Sequence, residues 1–251
     1  MMIRKLSFGC LGLLALLTGL LLTSEPAVAQ SFSLDLGGEG GEATSRIIQI
    51  VTLITVLSLA PSLLVMVTSF TRIVVVLSFL RTAMGAPQTP PNQVLISLAL
   101  FLTIFIMMPT FERAWDEGLR PVVDGEIEEF EGFQRAMEPF KDFMMTYVRE
   151  QDLGLFVDIA GITDQEFTES RPMEVLVPAF MISELRRAFE IGFLIFIPFL
   201  IIDMVVSSVL MAMGMMMLPP VIIALPFKII FFVLVDGWFM VVGSLVKSFG
   251  G

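Results

Sequence analysis

The chain has 251 residues, of which 56% are hydrophobic and 16% are charged, and its mean hydropathy is +0.88. A soluble domain normally carries about 25% charged residues, so this composition is typical of a membrane protein. Histidine is absent and the one cysteine is Cys10, which excludes imidazole and thiolate metal sites, Ser-His or Cys-His nucleophile pairs and disulfides within the chain. We therefore expect no metal, no cofactor and no enzyme activity.

The formal net charge of −10 is concentrated in one block. Residues 112–174 contain 17 acidic and 6 basic side chains, whereas the rest of the chain has a net charge of +1. No basic stretch indicates a nucleic-acid surface. Within the acidic block, apolar residues at helical spacing over Ala136–Glu150 predict an amphipathic helix. We expect residues 112–174 to form a small helical segment outside the cytoplasm.

Residues 1–29 have the pattern of a cleaved secretory signal peptide. Arg4 and Lys5 precede a short apolar core, and Ala27-Val28-Ala29 matches the small-residue cleavage site. The alternative is an uncleaved anchor, although the apolar core is shorter than the about 20 residues of a spanning helix. Residues 30–46 are rich in glycine, serine and glutamate, which predicts a flexible extracytoplasmic leader.

Residues 47–111 predict a first hydrophobic helical hairpin. Two apolar runs are joined by a connector rich in proline and glycine at 85–91, and Pro109 is expected to interrupt the second helix near its end. We place Arg72 and Arg81 at the bend of the hairpin. The positive-inside rule then puts this bend on the cytoplasmic side of the membrane.

Residues 175–251 predict a second hydrophobic hairpin, with a methionine-rich loop at its tip. Pro178 and Pro198 are expected to interrupt its first helix, and Arg186 and Arg187 would fall on the extracytoplasmic side, against the positive-inside rule. Broken helices and charges are tolerated where they meet protein or water. We therefore predict an all-α protein of hydrophobic helical hairpins, whose second hairpin faces other protein.

The methionine-rich loop is the first candidate site. Methionine is unbranched and adaptable, so a ring of such loops around an axis would form a deformable gasket; the alternative is that methionine fills a gap in helix packing. The density of methionine beside Gly214 and a Pro-Pro pair favours the gasket. The candidate residues are Met211, Met213, Met215, Met216 and Met217.

A group of charges next to apolar sequence is the second candidate site. Glu184 and Arg187 are spaced i,i+3, and Arg186 and Glu190 are spaced i,i+4, so each can pair along one helix. These charges could form inter-subunit or intramembrane salt bridges, or line a polar path. The alternative is a solvated helix end, where exposed pairs contribute well under about 1 kcal/mol.

Asp203 stands alone between apolar stretches. It could relay protons, bind a cation, or pair with a basic residue elsewhere, such as Lys228. Two aromatic residues of the acidic block, Phe143 and Phe156, are candidates for packing against a neighbouring subunit. Packing within the same chain is the alternative for both.

The segment Pro178–Phe193 reads Pro-Ala-Phe-Met-Ile-Ser-Glu-Leu-Arg-Arg-Ala-Phe-Glu-Ile-Gly-Phe, and Phe-Ile-Pro-Phe-Leu-Ile-Ile-Asp follows at 196–203. Together they resemble the signature of the FliP family, flagellar biosynthetic proteins of the type III export gate. The resemblance extends over nearly the whole chain after the signal peptide and includes Ser69–Arg72, the acidic block and the methionine-rich loop. It implies a pore subunit in a ring of about five copies, with the methionines constricting the closed channel.

The resemblance also implies partners and a location. The partners are FliQ and FliR in the gate, FliO as an assembly helper, FlhA and FlhB of the export apparatus, and unfolded rod, hook and filament proteins as cargo. The location is the bacterial inner membrane at the flagellar basal body, with the acidic segment in the periplasm. Two alternatives are a secondary transporter or ion-coupled channel that uses Asp203, and a membrane enzyme built on carboxylate chemistry.

Overall fold

The computed structural model describes residues 65–86, 88–215 and 218–250, together with six helical positions between 48 and 55 and residues 58 and 62. The signal peptide and leader expected over 1–46 lie outside the described residues. The chain divides into two units, 1–55 and 56–251. The described residues of the first unit are helical, and the hydroxyl of Thr55 donates to the carbonyl of Val51 at 2.7 Å.

The described part of the second unit is helical throughout, with no strand, as the hydrophobic periodicity predicts. We number its α-helices in chain order. They are α1 Phe70–Ala83, α2 Asn92–Ala114, α3 Arg120–Val123, α4 Glu129–Tyr147, α5 Glu150–Ala160, α6 Asp164–Ser170, α7 Met173–Ala212, α8 Pro220–Leu234 and α9 Gly237–Lys247. One π-helical turn, Trp115–Leu119, joins α2 to α3.

Two pairs of consecutive helices are joined by the connector and the loop that the sequence singles out. Helices α1 and α2 flank the proline-rich connector, and α7 and α8 flank the methionine-rich loop. The expected interruptions at Pro109, Pro178 and Pro198 are wrong, because α2 and α7 continue through all three prolines. A proline removes one backbone hydrogen bond, and in apolar surroundings the chain has no water with which to replace the remaining ones.

Two helical stretches of the described residues are long and apolar enough to cross a membrane: Asn92–Val123 and Met173–Ala212. The pair α8 and α9, bent by 63°, would add a third if it counts as one span. At 1.5 Å per residue the 40-residue α7 is about 60 Å long, roughly twice the hydrocarbon thickness of a bilayer. Part of α7 must therefore lie outside the hydrocarbon or meet other protein.

Buried apolar side chains form two clusters. One lies between α1, α2, α7, α8 and α9 and includes Leu77, Leu80 and Phe199. The other lies where the acidic block packs on α2 and α7, and includes Met144 and Phe180. Since α2 and α7 both contribute to both clusters, these two helices join the hairpins to the acidic block.

Candidate functional site

A buried ion pair joins α1 to α7. Nε of Arg72 donates to Oε2 of Glu184 at 2.8 Å, and Nη2 donates to the second carboxylate oxygen, so the contact is bidentate. Both side chains are fully buried. Two parallel charge-assisted bonds fix the geometry of the pair as well as strengthening it. Arg72 and Glu184 therefore hold the two helices in one register.

The opposite edge of the Arg72 guanidinium contacts the segment after α9. Nη1 donates to the backbone oxygen of Ser248 at 3.1 Å and to its hydroxyl at 3.0 Å. The Phe249 ring lies over the guanidinium, with 3.6 Å between Cζ and the ring centroid, and the Tyr147 hydroxyl donates to the Phe249 carbonyl. We call these five residues, Arg72, Glu184, Tyr147, Ser248 and Phe249, the buried charge junction. It ties α1, α4, α7 and the end of α9 together.

The pairing expected between Glu184 and Arg187 is not the one in the structure. Both oxygens of the Glu184 carboxylate bond to Arg72, because a buried bidentate contact is stronger than an i,i+3 contact on a helix surface. Arg186 and Glu190 do pair at i,i+4, with 3.1 Å between Nε and Oε1, and both are exposed. Arg187 is half-buried and makes no ion pair with any residue that the structure describes.

The prediction that Arg72 lies at the bend of the first hairpin is wrong. Arg72 lies in the first turn of α1 and is fully buried. Arg81 does lie near the bend, where its guanidinium donates to the side chain of Asn92. A single arginine between two long apolar runs is a signal that could have indicated a buried partner.

Asp203 pairs with Lys228. Of the three roles that the sequence leaves open for Asp203, which are proton relay, cation binding and pairing with a basic residue, the structure shows the pairing. Their Oδ2 and Nζ atoms are 2.6 Å apart, and Nζ also donates to the Ala83 carbonyl at 3.2 Å. Lys228 is 4% exposed. The pair joins α7 to α8 and, through Ala83, to the end of α1, which is a structural use of the aspartate.

The methionine-rich loop connects α7 to α8. Helix α7 ends at Ala212, Gly214 adopts a positive φ of 73°, and Pro219 and Pro220 begin the next helix. The described methionines here are exposed: Met211, in the last turn of α7, at 59%, and Met213 and Met215, in the loop, at 61% and 40%. Met216 and Met217 lie outside the described residues. The loop thus presents methionine to its surroundings instead of filling this chain's core.

The aromatic residues predicted for subunit contacts lie partly within the chain's own core. Phe143 contacts the rings of Tyr147, Phe180 and Phe249, with centroid separations of 4.9, 5.9 and 6.1 Å. Phe156 is also partly buried against the second cluster. The contacts present are therefore those of the within-chain alternative, and packing against a neighbouring subunit stays a prediction.

The acidic block carries a surface charge network. Arg171 binds Glu138 and Asp142 of α4, each at 2.6 Å, and Arg113 binds Asp142 at 3.1 Å. The hydrogen bond from Arg171, supported by the one from Arg113, holds the pKa of Asp142 below its usual value. All four side chains are partly exposed, so water and salt weaken the network. Arg171 lies 29 and 33 residues from its two partners, so no local pattern indicates these contacts.

No cluster of three or more histidine, cysteine, aspartate or glutamate side chains in the described ranges could hold a metal ion. The Arg72–Glu184 and Asp203–Lys228 pairs each join different helices, so these charges position helices. The described geometry is that of a scaffold: long apolar helices, a buried charge junction and an exposed methionine loop.

The chain is similar to known proteins over most of its length. A family model described as the FliP family matches residues 53–245. A similar protein named flagellar biosynthetic protein FliP occurs in Caulobacter vibrioides; it is 60% identical over 89% of this chain and 84% of that protein. Another of the same name, from Bacillus subtilis, is 56% identical over 83% of this chain and 94% of that protein. The protein of that name from Rhizobium meliloti is 53% identical over 89% of this chain and 93% of that protein. The resemblance inferred from the sequence is confirmed, and the chain belongs to the FliP family.

Proposed function

We propose that the chain is the pore-forming core subunit of the flagellar type III protein export gate. In this role it passes unfolded rod, hook and filament proteins across the bacterial inner membrane. Membership of a family of flagellar biosynthetic proteins supports the pathway, and two or three helical stretches suited to a membrane support the setting. The function is conduction, and it requires no catalytic group in this chain.

The observation that carries the pore assignment is the exposure of the methionine-rich loop. Met211 in the last turn of α7 and Met213 and Met215 in the turn after it are exposed, and none of the three is buried against its own chain. Flexible thioether side chains from several copies can close around an axis and then reshape around an unfolded chain of varying width. A ring of about five subunits would place one such loop from each copy around the channel.

The remaining surface supports assembly. Large apolar side chains are exposed along α2, α7 and α8, among them Phe101, Phe105, Phe193 and Phe227. Exposed apolar area of this extent indicates contact with lipid or with other protein. FliQ and FliR are the companion subunits that we propose for it, with FliO assisting assembly, FlhA and FlhB completing the apparatus, and the acidic block in the periplasm.

The gasket is tested by replacing Met211, Met213 and Met215 together with alanine. Since the loop is exposed, the variant should fold and assemble normally, but the closed gate should leak ions and small solutes because the seal is thinner. The measurement is solute uptake by cells or by vesicles that contain the assembled gate. The matched control replaces Met108, Met204 and Met240, which are similarly exposed at 48%, 63% and 59% outside the loop. Equal tightness of both triple variants would contradict the gasket.

A further inference from the structure

An open apolar groove of about 390 Å³ runs between α7 and α9. Almost all of its lining is apolar, and Leu194 and Met240 on its two sides are 64% and 59% exposed. Helix α7 is long and apolar enough to cross a membrane, and α9 belongs to the bent pair that could form another span. In a membrane, an open apolar groove on such helices faces acyl chains.

Each side of the groove continues into a basic residue. On α7 the lining extends from Ile191 to Pro198 in one helical stripe, and Arg187 precedes Ile191 by one turn on the same face. On α9 the lining includes Ser244, and Lys247 follows it three residues later on the same face. The groove therefore has a basic residue at one end of each wall.

The two basic residues lie at the same end of the groove. Ser248 follows Lys247 and accepts two hydrogen bonds from Arg72. The same guanidinium binds Glu184, which lies one helical turn before Arg187. The end of α9 therefore lies beside this turn of α7, and the two helices run in opposite directions along the groove.

Neither basic residue forms an ion pair within the described part of the chain. Arg187 is half-buried and Lys247 is exposed, whereas the neighbouring Arg186 pairs with Glu190. The opposite end of the groove lies at the corner between α8 and α9, next to the acidic residue Asp236. The groove is thus positive at one end only, and a half-buried cation without a counter-charge favours an anion from outside the chain.

We propose that the groove binds an anionic phospholipid, with one acyl chain along α7 and α9 and the phosphate at Arg187 and Lys247. From Ile191 to Pro198 the groove extends about 10 Å at 1.5 Å per residue, which accommodates part of an acyl chain. Basic pockets between membrane helices bind anionic head groups. This lipid site goes beyond the pore assignment and does not depend on it.

Trp238 can report on the groove, because its ring packs edge-on against the lining residue Phe232 with 5.5 Å between the centroids. Trp115→Phe in the full-length chain removes the other tryptophan, so that all indole fluorescence comes from Trp238. The protein in neutral detergent is titrated with phosphatidylglycerol or phosphatidylcholine that carries bromine on its acyl chains, since bromine quenches indole at short range. A factor of about 5 for each basic residue predicts a preference on the order of 20-fold for phosphatidylglycerol.

The charge requirement is tested by Arg187→Gln together with Lys247→Gln, which should abolish the preference. The matched control is Arg186→Gln together with Arg120→Gln. It removes the same amount of charge from two exposed residues that have acidic partners nearby in sequence, and it should keep the preference.

The position of the acyl chain is tested by filling the groove. Ser244→Phe should weaken quenching by phosphatidylglycerol because the ring occupies the groove, whereas Ser208→Phe, at an exposed position of α7 outside the groove, should not. The proposal is overturned if the control pair loses the preference as fully as the Arg187 and Lys247 pair, or if Ser244→Phe has no effect. Equal quenching by both lipids before any groove substitution would also overturn it, and would instead fit a groove covered by a helix of a second copy.

Discussion

The same chemistry occurs in two settings in this molecule. Arg72 and Glu184 form a bidentate pair with no exposed surface, whereas Arg171, Glu138 and Asp142 form a network whose side chains are 30–42% exposed. Burial removes the water that competes for the first pair but not for the second. The buried junction therefore positions the helices, whereas the surface network contributes little to the stability of the acidic block.

The largest effect should follow from removing one half of the buried pair. Glu184→Leu leaves Arg72 charged and buried without its carboxylate, which should lower the free energy of unfolding by about 3–5 kcal/mol. The double variant Arg72→Leu with Glu184→Leu removes both charges and should recover most of this loss. Equilibrium unfolding of the detergent-solubilised protein measures both. A double variant as unstable as the single one would show that charge burial does not govern the junction.

Packing, not charge, should dominate the acidic block. A Cβ on Gly118 of the π-helical turn would lie 2.5–2.6 Å from three atoms of Ala136, one of them the backbone nitrogen. Gly118→Ala should therefore lower the free energy of unfolding by about 1–3 kcal/mol, because the added methyl group overpacks the contact. Gly154→Ala in α5 is the control, since nothing lies within 4 Å of a Cβ at that position. It should raise the free energy of unfolding by up to about 1 kcal/mol, because alanine has the higher helix propensity. Thermal unfolding that ranks the two variants the other way would contradict this packing.

The smallest effect should come from the surface network. Residue 171 has a left-handed φ of 43°, and Arg171→Gln leaves this backbone conformation in place while it removes both ion pairs. The substitution should lower the free energy of unfolding by under about 1 kcal/mol at neutral pH.

The pH dependence of this variant has a defined sign. The pKa of Asp142 is lowered in the folded chain from the usual 3.8, so its contribution is present above that pH and is lost as the pH falls through the lowered value. The difference between wild type and Arg171→Gln should therefore shrink as the pH drops below about 3.8. Unfolding curves at several pH values test this, and a difference that grows in acid would refute the assignment.

Local sequence pattern predicted much of the fold, for a physical reason. Hydrophobic runs, the connector at 85–91 and the Gly214-to-Pro220 turn act through neighbouring residues, so hairpins and helices follow from them. The Arg186–Glu190 pair is also local, at i,i+4. Arg72 and Glu184, by contrast, are 112 residues apart, and nothing in either neighbourhood specifies the other.

The proline expectation failed for a related reason. Proline is read from sequence as a helix breaker, but its effect depends on whether the freed backbone groups can find water. In α7 the surrounding residues are apolar, and the helix continues past Pro178 and Pro198 over 40 residues. The apolar sequence around a proline, and not the proline alone, therefore decides whether the helix ends there.

The most direct test of the export-gate account is the native mass of the detergent-extracted protein, produced alone and together with FliQ and FliR. The exposed apolar faces of α2, α7 and α8 and the projecting methionine loop lead us to expect a discrete ring of several copies that gains mass when the companions are present. A monomer or dimer under both conditions would contradict the account.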